Sequence, residues 1–138
     1  MAAPKREDTW FFALQPSAAA REAIVRCQDE AGARHGLRRY RLKPQNLQVS
    51  LHHVGQGEVL PETLLAAANA AAAAVAVPAF DATFDRARSF QLKKDSHPFV
   101  LLCAEASVAA LKAFHRALGA ALREKGGGRF LRSDFTPH

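Results

Sequence analysis

A weak internal repeat constrains the fold of this 138-residue chain more than any other feature of its sequence. The order strand, helix, basic or glycine-rich connection and second strand occurs twice, so that Gln48 follows Trp10 by 38 residues and His138 follows Phe99 by 39. Duplicated units with mostly antiparallel pairing predict an α+β fold, with helices on the outside and a central cleft between two pseudo-symmetric lobes. No Gly/Ser-rich linker divides the halves, so we expect residues 1–138 to form a single two-lobed domain.

Local patterns assign the elements of the two units. Aromatic, alternating or continuous apolar runs predict four strands, over Thr9–Leu14, Asn46–Val54, Phe80–Asp85 and Phe99–Ala104. Capping residues and helical spacing predict three helices, one from Ser17 to Gly36, one from Leu60 through the alanine-rich stretch to about Val75, and one from Ser107 to Gly126. The alanine-rich stretch is low in complexity, but alanine is the best helix former, so we interpret it as a packed helix.

Composition excludes several classes of protein. The apolar fraction of 49% is too high for a disordered chain, and no run of 18 apolar residues predicts a membrane span. The polar N-terminus lacks the apolar core of a signal peptide, so we expect a cytoplasmic protein. We also expect the protein to be a monomer. Its two cysteines, Cys27 and Cys103, are too few for a disulfide framework or a zinc site and are expected to be reduced thiols packed in the interior. The net charge of +6 and the pI near 9.9 predict an anionic partner such as a nucleic acid.

The strand predicted over residues 46–54 has an informative alternation. Leu47, Val49 and Leu51 point to one face, while Gln48, Ser50 and His52 point to the other, whose side chains can all hydrogen-bond an anion. An equally simple interpretation is a polar face in contact with solvent. The alternation ends at His53 and Val54, which indicates a bulge or the end of the strand.

Two segments of the chain resemble the paired signatures of one family. The run Asn46-Leu47-Gln48-Val49-Ser50-Leu51-His52-His53-Val54-Gly55 is similar to the first signature of the bacterial 2'-5' RNA ligase and RNA 2',3'-cyclic phosphodiesterase family, the two-histidine phosphoesterases. The final Phe135-Thr136-Pro137-His138 matches the first four positions of the second, Phe-x-Pro-His-x-Thr. The opening run from Trp10 to Pro16 and the segment Arg41–Pro44 also resemble that family, so the similarity covers nearly the whole chain.

The resemblance implies hydrolysis of RNA 2',3'-cyclic phosphate ends to 2'-phosphomonoesters, or reversible joining of RNA ends, without a metal or other cofactor. One imidazole would accept a proton while another supplies one, because imidazoles titrate near neutral pH. His138 would be the proton acceptor, and Gln48 occupies the position of the donor histidine. Ser50 would bind phosphate, and further contacts to RNA ends or cyclic nucleotides would come from His52, Tyr40 and Arg41.

The chain departs from the family pattern in two places. Gln48 stands where the first histidine is expected, and a carboxamide cannot exchange a proton near neutrality. His52 lies about 13 Å further along an extended strand, too far to replace it. The sequence stops at His138, so the second hydroxyl and the C-terminal strand or strands of the family pattern are absent, and we expect a longer natural chain.

Other polar groups have simpler interpretations. The basic segment Arg34–Lys43 could follow an RNA backbone but also fits a solvated helix end and turn. Arg86 and Arg88 share a strand face and could contact phosphate, although a salt bridge to a neighbouring carboxylate is the simpler expectation. His115 is expected on a helix surface, and His35 at an exposed helix end. His97 indicates a turn, and Arg129–Arg132 could meet substrate. Two other functions stay open, namely a module that binds RNA ends or nucleotides without turnover and an interaction domain whose polar strand faces solvent.

Overall fold

The computed structural model describes residues 5–36, 42–89 and 99–138, which contain helices and strands in mixed order. The elements are β1 (Asp8–Leu14), α1 (Ala18–His35), a 3₁₀ turn (Pro44–Asn46), β2 (Val49–Gly57), α2 (Glu62–Ala74), β3 (Phe84–Ser89), β4 (Phe99–Cys103) and α3 (Glu105–Lys125). β1 pairs with β2, and β3 pairs with β4, each pair forming a small antiparallel sheet within the described residues. The prediction of an α+β fold is confirmed at this level.

Two compact units make up the described chain, and residues 13–49 form the smaller one. Its helix α1 begins where the hydroxyl oxygen of Ser17 accepts a hydrogen bond from the Ala20 N–H, at 3.2 Å. It ends at Gly36, whose φ of 65° is the left-handed conformation that glycine adopts without strain. Both ends agree with the sequence prediction. Cys27 is exposed on α1, so the expectation that both thiols are interior is wrong for this residue.

The strand predicted from Asn46 begins three residues later, at Val49. Pro44 opens a 3₁₀ turn instead, and the N–H of Leu47 donates to its carbonyl oxygen at 3.3 Å. Proline presets the backbone angle for such a turn, and asparagine favours turn positions. Gln48 therefore precedes β2, and the strand extends to Gly57, beyond the end predicted at Val54.

The core of the larger unit lies where β2, α2 and α3 meet. Its buried residues are Val54, Ala71, Leu118, Ala121 and Leu122, with partly buried side chains packed around them from the rest of the unit. Gly55 permits a close approach, since a Cβ there would lie 2.9 Å from Leu64 Cδ2 and 3.3 Å from Trp10 Cε3. The alanine-rich α2 is a packed helix, as predicted, and its small side chains let it lie close to α3.

The third predicted strand, Phe80–Asp85, is largely wrong because β3 begins only at Phe84. The residues before β3 lie alongside the start of α3. There the ring of Phe80 contacts the ring of Phe114 edge-on, with their centroids 6.2 Å apart. Ser107 holds this segment, since its hydroxyl oxygen accepts a hydrogen bond from the Thr83 N–H at 3.1 Å. Ser107 is therefore not the N-cap of α3, a position that Ala104 occupies.

The predicted apolar face of α3 is confirmed, because Leu111, Leu118 and Leu122 are buried. Gly126, with a φ of 89°, ends the helix as expected. None of the helices in the described part of the chain has the length and apolar character needed to cross a membrane.

Candidate functional site

The final residues of the chain lie along the edge of β4 that β3 leaves open. The Ala104 N–H donates to the Thr83 carbonyl on the β3 side at 2.7 Å, while the Cys103 N–H donates to the Pro137 carbonyl at 3.3 Å. Successive N–H groups of an extended chain point to opposite edges, so Pro137 lies on the side away from β3. This hydrogen bond anchors the backbone immediately before His138.

A stack of three rings holds the same segment against α3. The ring of Phe135 lies parallel to that of His115, with centroids 4.1 Å apart and planes 4° apart. His115 stacks in turn on His52 of β2, at 3.8 Å. The second signature is therefore attached to β2 and α3 as well as to β4.

His138 has a defined tautomer in its neutral form. Its Nδ1 lies 2.8 Å from the Thr136 carbonyl oxygen, and a carbonyl only accepts, so Nδ1 carries the hydrogen. Nε2 then carries no hydrogen in the neutral ring. The imidazole is exposed.

A small hollow of about 140 Å³ lies beside this segment. Thr136 and Pro137 line it together with Arg86 of β3 and Lys112 of α3. It continues into a groove of about 680 Å³, because Arg86, Val108 and Lys112 line both spaces. The residues just before His138 are thus next to two cationic side chains.

Arg86 is held in place by two neighbours. Its Nε lies 3.2 Å from Asp85 Oδ1, which confirms the salt bridge expected for this residue. Its Nη2 donates to the Cys103 carbonyl at 3.0 Å. A guanidinium has five N–H donors, so these two contacts orient it and leave donors that can reach an anion.

Cys103 also lines the hollow, but it is not a candidate nucleophile. The side chain is buried, and burial raises the pKa of its thiol. The thiol is therefore protonated at neutral pH, whereas nucleophilic attack needs the thiolate. Cys103 is an interior thiol, as predicted.

The first signature follows its predicted alternation only in part. Leu47 is buried while Gln48 and Ser50 are exposed, as the alternation requires. His52, predicted on the same exposed face, is only 4% exposed. Its Nε2–H donates to the His115 carbonyl at 2.7 Å, so we assign His52 to the packing of α3 on β2 rather than to substrate.

The position of His115 also differs from the prediction. It was expected on a helix surface, but it is 4% exposed, and its Nε2–H donates to the Leu51 carbonyl at 3.1 Å. Burial is the main cause that lowers the pKa of both His52 and His115. The repulsion between the two rings lowers the pKa of His115 further. Both rings are therefore neutral packing groups at neutral pH.

The remaining predicted residues have separate positions. Tyr40, Arg41 and His97 lie outside the described residues, so the basic segment is seen only at its two ends. His35 is exposed at the end of α1, as predicted. Arg88 is exposed on β3, and Arg129 lies 5.3 Å from the Phe130 ring centroid, a cation–π contact.

Sequence reasoning missed Lys112 and Arg116, which line the groove from α3. They are four residues apart and therefore share a helix face. That spacing of two basic residues, opposite the apolar face of α3, was a signal available in the sequence.

Comparisons of the chain with protein-family models, with curated proteins and with solved structures found no match in any of the three.

Proposed function

We propose that this protein is an RNA 2',3'-cyclic phosphodiesterase of the two-histidine type, which hydrolyses 2',3'-cyclic phosphate ends to 2'-phosphomonoesters. The observation that carries the proposal is the setting of His138. It offers a proton-accepting Nε2 at the end of a segment anchored to β4, beside a hollow lined by Arg86 and Lys112. The paired signatures at residues 46–55 and 135–138 support the same chemistry.

In the proposed reaction, Nε2 of His138 removes a proton from water as the water oxygen attacks phosphorus. The bond from phosphorus to the ribose O3' breaks, O3' takes up a proton, and the phosphate stays on O2'. Arg86 and Lys112 are placed to stabilise the negative charge that develops on the phosphate oxygens. Ser50 donates a hydrogen bond to one of those oxygens, and the two signatures face one cleft between the two lobes.

Gln48 limits the rate of this reaction. The resemblance assigns its position to the proton donor, but a carboxamide cannot protonate the leaving O3', which must then take its proton from solvent. Loss of one general acid costs roughly 10²–10⁴-fold in rate, or about 3–5 kcal/mol of barrier. We therefore propose a slow enzyme, which would join RNA ends through a 2'-5' link where a ribose 5'-OH replaces water as the group that attacks phosphorus.

The experiment measures hydrolysis of a 2',3'-cyclic mononucleotide by the wild type, Gln48→His and His138→Ala. Gln48→His should raise kcat by about 10²–10⁴-fold with little change in KM, because it supplies only the missing acid. His138→Ala should abolish turnover in both backgrounds. His35→Ala, at the exposed end of α1, is the matched control.

Two results would contradict the assignment. One is a Gln48→His variant no faster than the wild type, and the other is a His138→Ala variant that keeps its activity. The increase in kcat expected for Gln48→His and the loss of turnover expected for His138→Ala together distinguish the roles of the two positions. A general effect on folding would not raise kcat.

Gln48 also favours a second candidate function, a module that binds RNA ends without turnover. A carboxamide can hydrogen-bond a phosphate although it cannot transfer a proton. This function predicts salt-sensitive binding of phosphorylated RNA ends by the wild type with no product formed, even over long incubation.

A further inference from the structure

The larger groove lies along the exposed side of α3. It is lined by Arg86, Glu105, Val108, Ala109, Lys112 and Arg116. Five of these belong to α3, and residues four apart such as Lys112 and Arg116 lie next to each other on its surface. The groove begins at the small hollow, since Arg86, Val108 and Lys112 line both spaces.

The positive charge of the groove is not neutralised by ion pairs along α3. Within residues 5–36, 42–89 and 99–138, neither Lys112 nor Arg116 forms a salt bridge. Two like charges at this spacing repel each other and destabilise a helix. Glu105 lies two turns before Lys112, about 10 Å along the helix axis. An anion beside Lys112 and Arg116 would remove the repulsion between them.

The lining also indicates which part of a nucleic acid would bind. The six residues that line the groove include no aromatic side chain on which a base could stack. Cationic groups without stacking surfaces contact the phosphate backbone and discriminate little between sequences. Val108 and Ala109 contribute the apolar side chains of the groove lining.

We propose that this groove binds the phosphates of the RNA strand that leads to the reacting end. The inference rests on the proposed function, because a 2',3'-cyclic phosphate occurs only at a 3' end, so the strand leaves the site in the 5' direction alone. With the terminal phosphate in the hollow beside Arg86 and Lys112, Arg116 contacts a phosphate that precedes it in the strand.

The test compares the wild type with Arg116→Ala, because Arg116 lines the groove but not the hollow. Binding of a short labelled oligoribonucleotide that ends in a 2'-phosphate is followed by fluorescence anisotropy over a range of salt concentrations. A matched variant, Arg26→Ala, also removes one exposed arginine but leaves the groove intact. Hydrolysis of a 2',3'-cyclic mononucleotide is measured on the same three proteins.

The groove variant, Arg116→Ala, should bind the oligonucleotide about threefold more weakly, and its salt slope should fall by about 0.7 for the one lost phosphate contact. Its mononucleotide hydrolysis should equal that of the wild type. Equal oligonucleotide binding by the groove and matched variants would overturn the inference, as would a wild type that does not bind the oligonucleotide. Absence of mononucleotide hydrolysis in all three proteins would instead contradict the proposed function.

Discussion

Gly119 of α3 lies beside the imidazole of His52. A Cβ at this position would be 3.1 Å from Cε1 and 3.2 Å from Nε2 of that ring. The ring cannot easily move aside, because Nε2–H is bonded to the His115 carbonyl and one face is stacked on the His115 ring. Glycine is therefore required here for packing, although it weakens a helix.

Gly119→Ala should destabilise the protein when His52 is present and stabilise it when His52 is replaced by alanine. In the wild type, overpacking costs about 1–3 kcal/mol, which exceeds the gain of up to about 1 kcal/mol in helix propensity. In a His52→Ala background the contact is gone, so the same substitution should stabilise the protein. Urea unfolding of the four proteins of this double-mutant cycle measures both effects. Equal effects in both backgrounds would show that the ring does not require glycine.

At the level of elements, β2 and α3 are joined by two reciprocal hydrogen bonds. The side chain of His52 donates to the backbone of His115, and the side chain of His115 donates to the backbone of Leu51. Each buried ring thereby satisfies one of its nitrogens and one backbone carbonyl. Phe135 stacks on the outer ring, so the C-terminal segment depends on this junction.

The junction makes stability depend on pH. The pKa values of His52 and His115 are lowered in the folded protein, mainly by burial, from 6.5. Arg123 also lowers the pKa of His52, while Asp134 opposes the shift at His115. As the pH falls below about 6.5, the unfolded chain binds protons that the folded chain does not, so the free energy of unfolding decreases.

Chemical denaturation between pH 7.5 and 5.5 measures this dependence above the range in which carboxylates titrate. The wild type should lose stability toward pH 5.5, and His115→Gln, whose carboxamide can still donate to Leu51, should lose less. His35→Gln, at an exposed helix end, is the control and should keep the decrease. A wild-type stability that is constant or higher at pH 5.5 would contradict the assignment of two buried neutral rings.

How well each element could be predicted depends on the range of the interactions that determine it. Ser17 and Gly36 were found from sequence because a cap is made by neighbours along the chain. The alternation predicted for residues 46–54 holds from Leu47 to Leu51 and fails at His52 of β2, because α3 covers a face that an isolated strand would expose. Ser107 resembled a cap, but its hydroxyl bonds a segment 24 residues away.

On the scale of the whole molecule, the net charge of +6 predicted an anionic partner but not where it binds. That location depends on β3, α3 and the C-terminal segment coming together, which no local pattern reveals. The second signature is a local pattern in residues 135–138. Lys112 and Arg116, in contrast, become candidates for binding an anion only because the fold places them in one groove with Arg86. For the same reason a role could be proposed from the sequence for His138 and Arg86, but not for Lys112 and Arg116.

The proposed function requires His138 and Ser50 to bind the same phosphate. NMR titration with adenosine 2'-monophosphate, the product of the proposed reaction, tests this without turnover. We expect the signals of the His138 ring and the Ser50 amide to shift with one common Kd, Ser50→Ala to weaken binding, and adenosine alone to shift neither signal. Different Kd values at the two residues, or no shift at either, would contradict the proposed function.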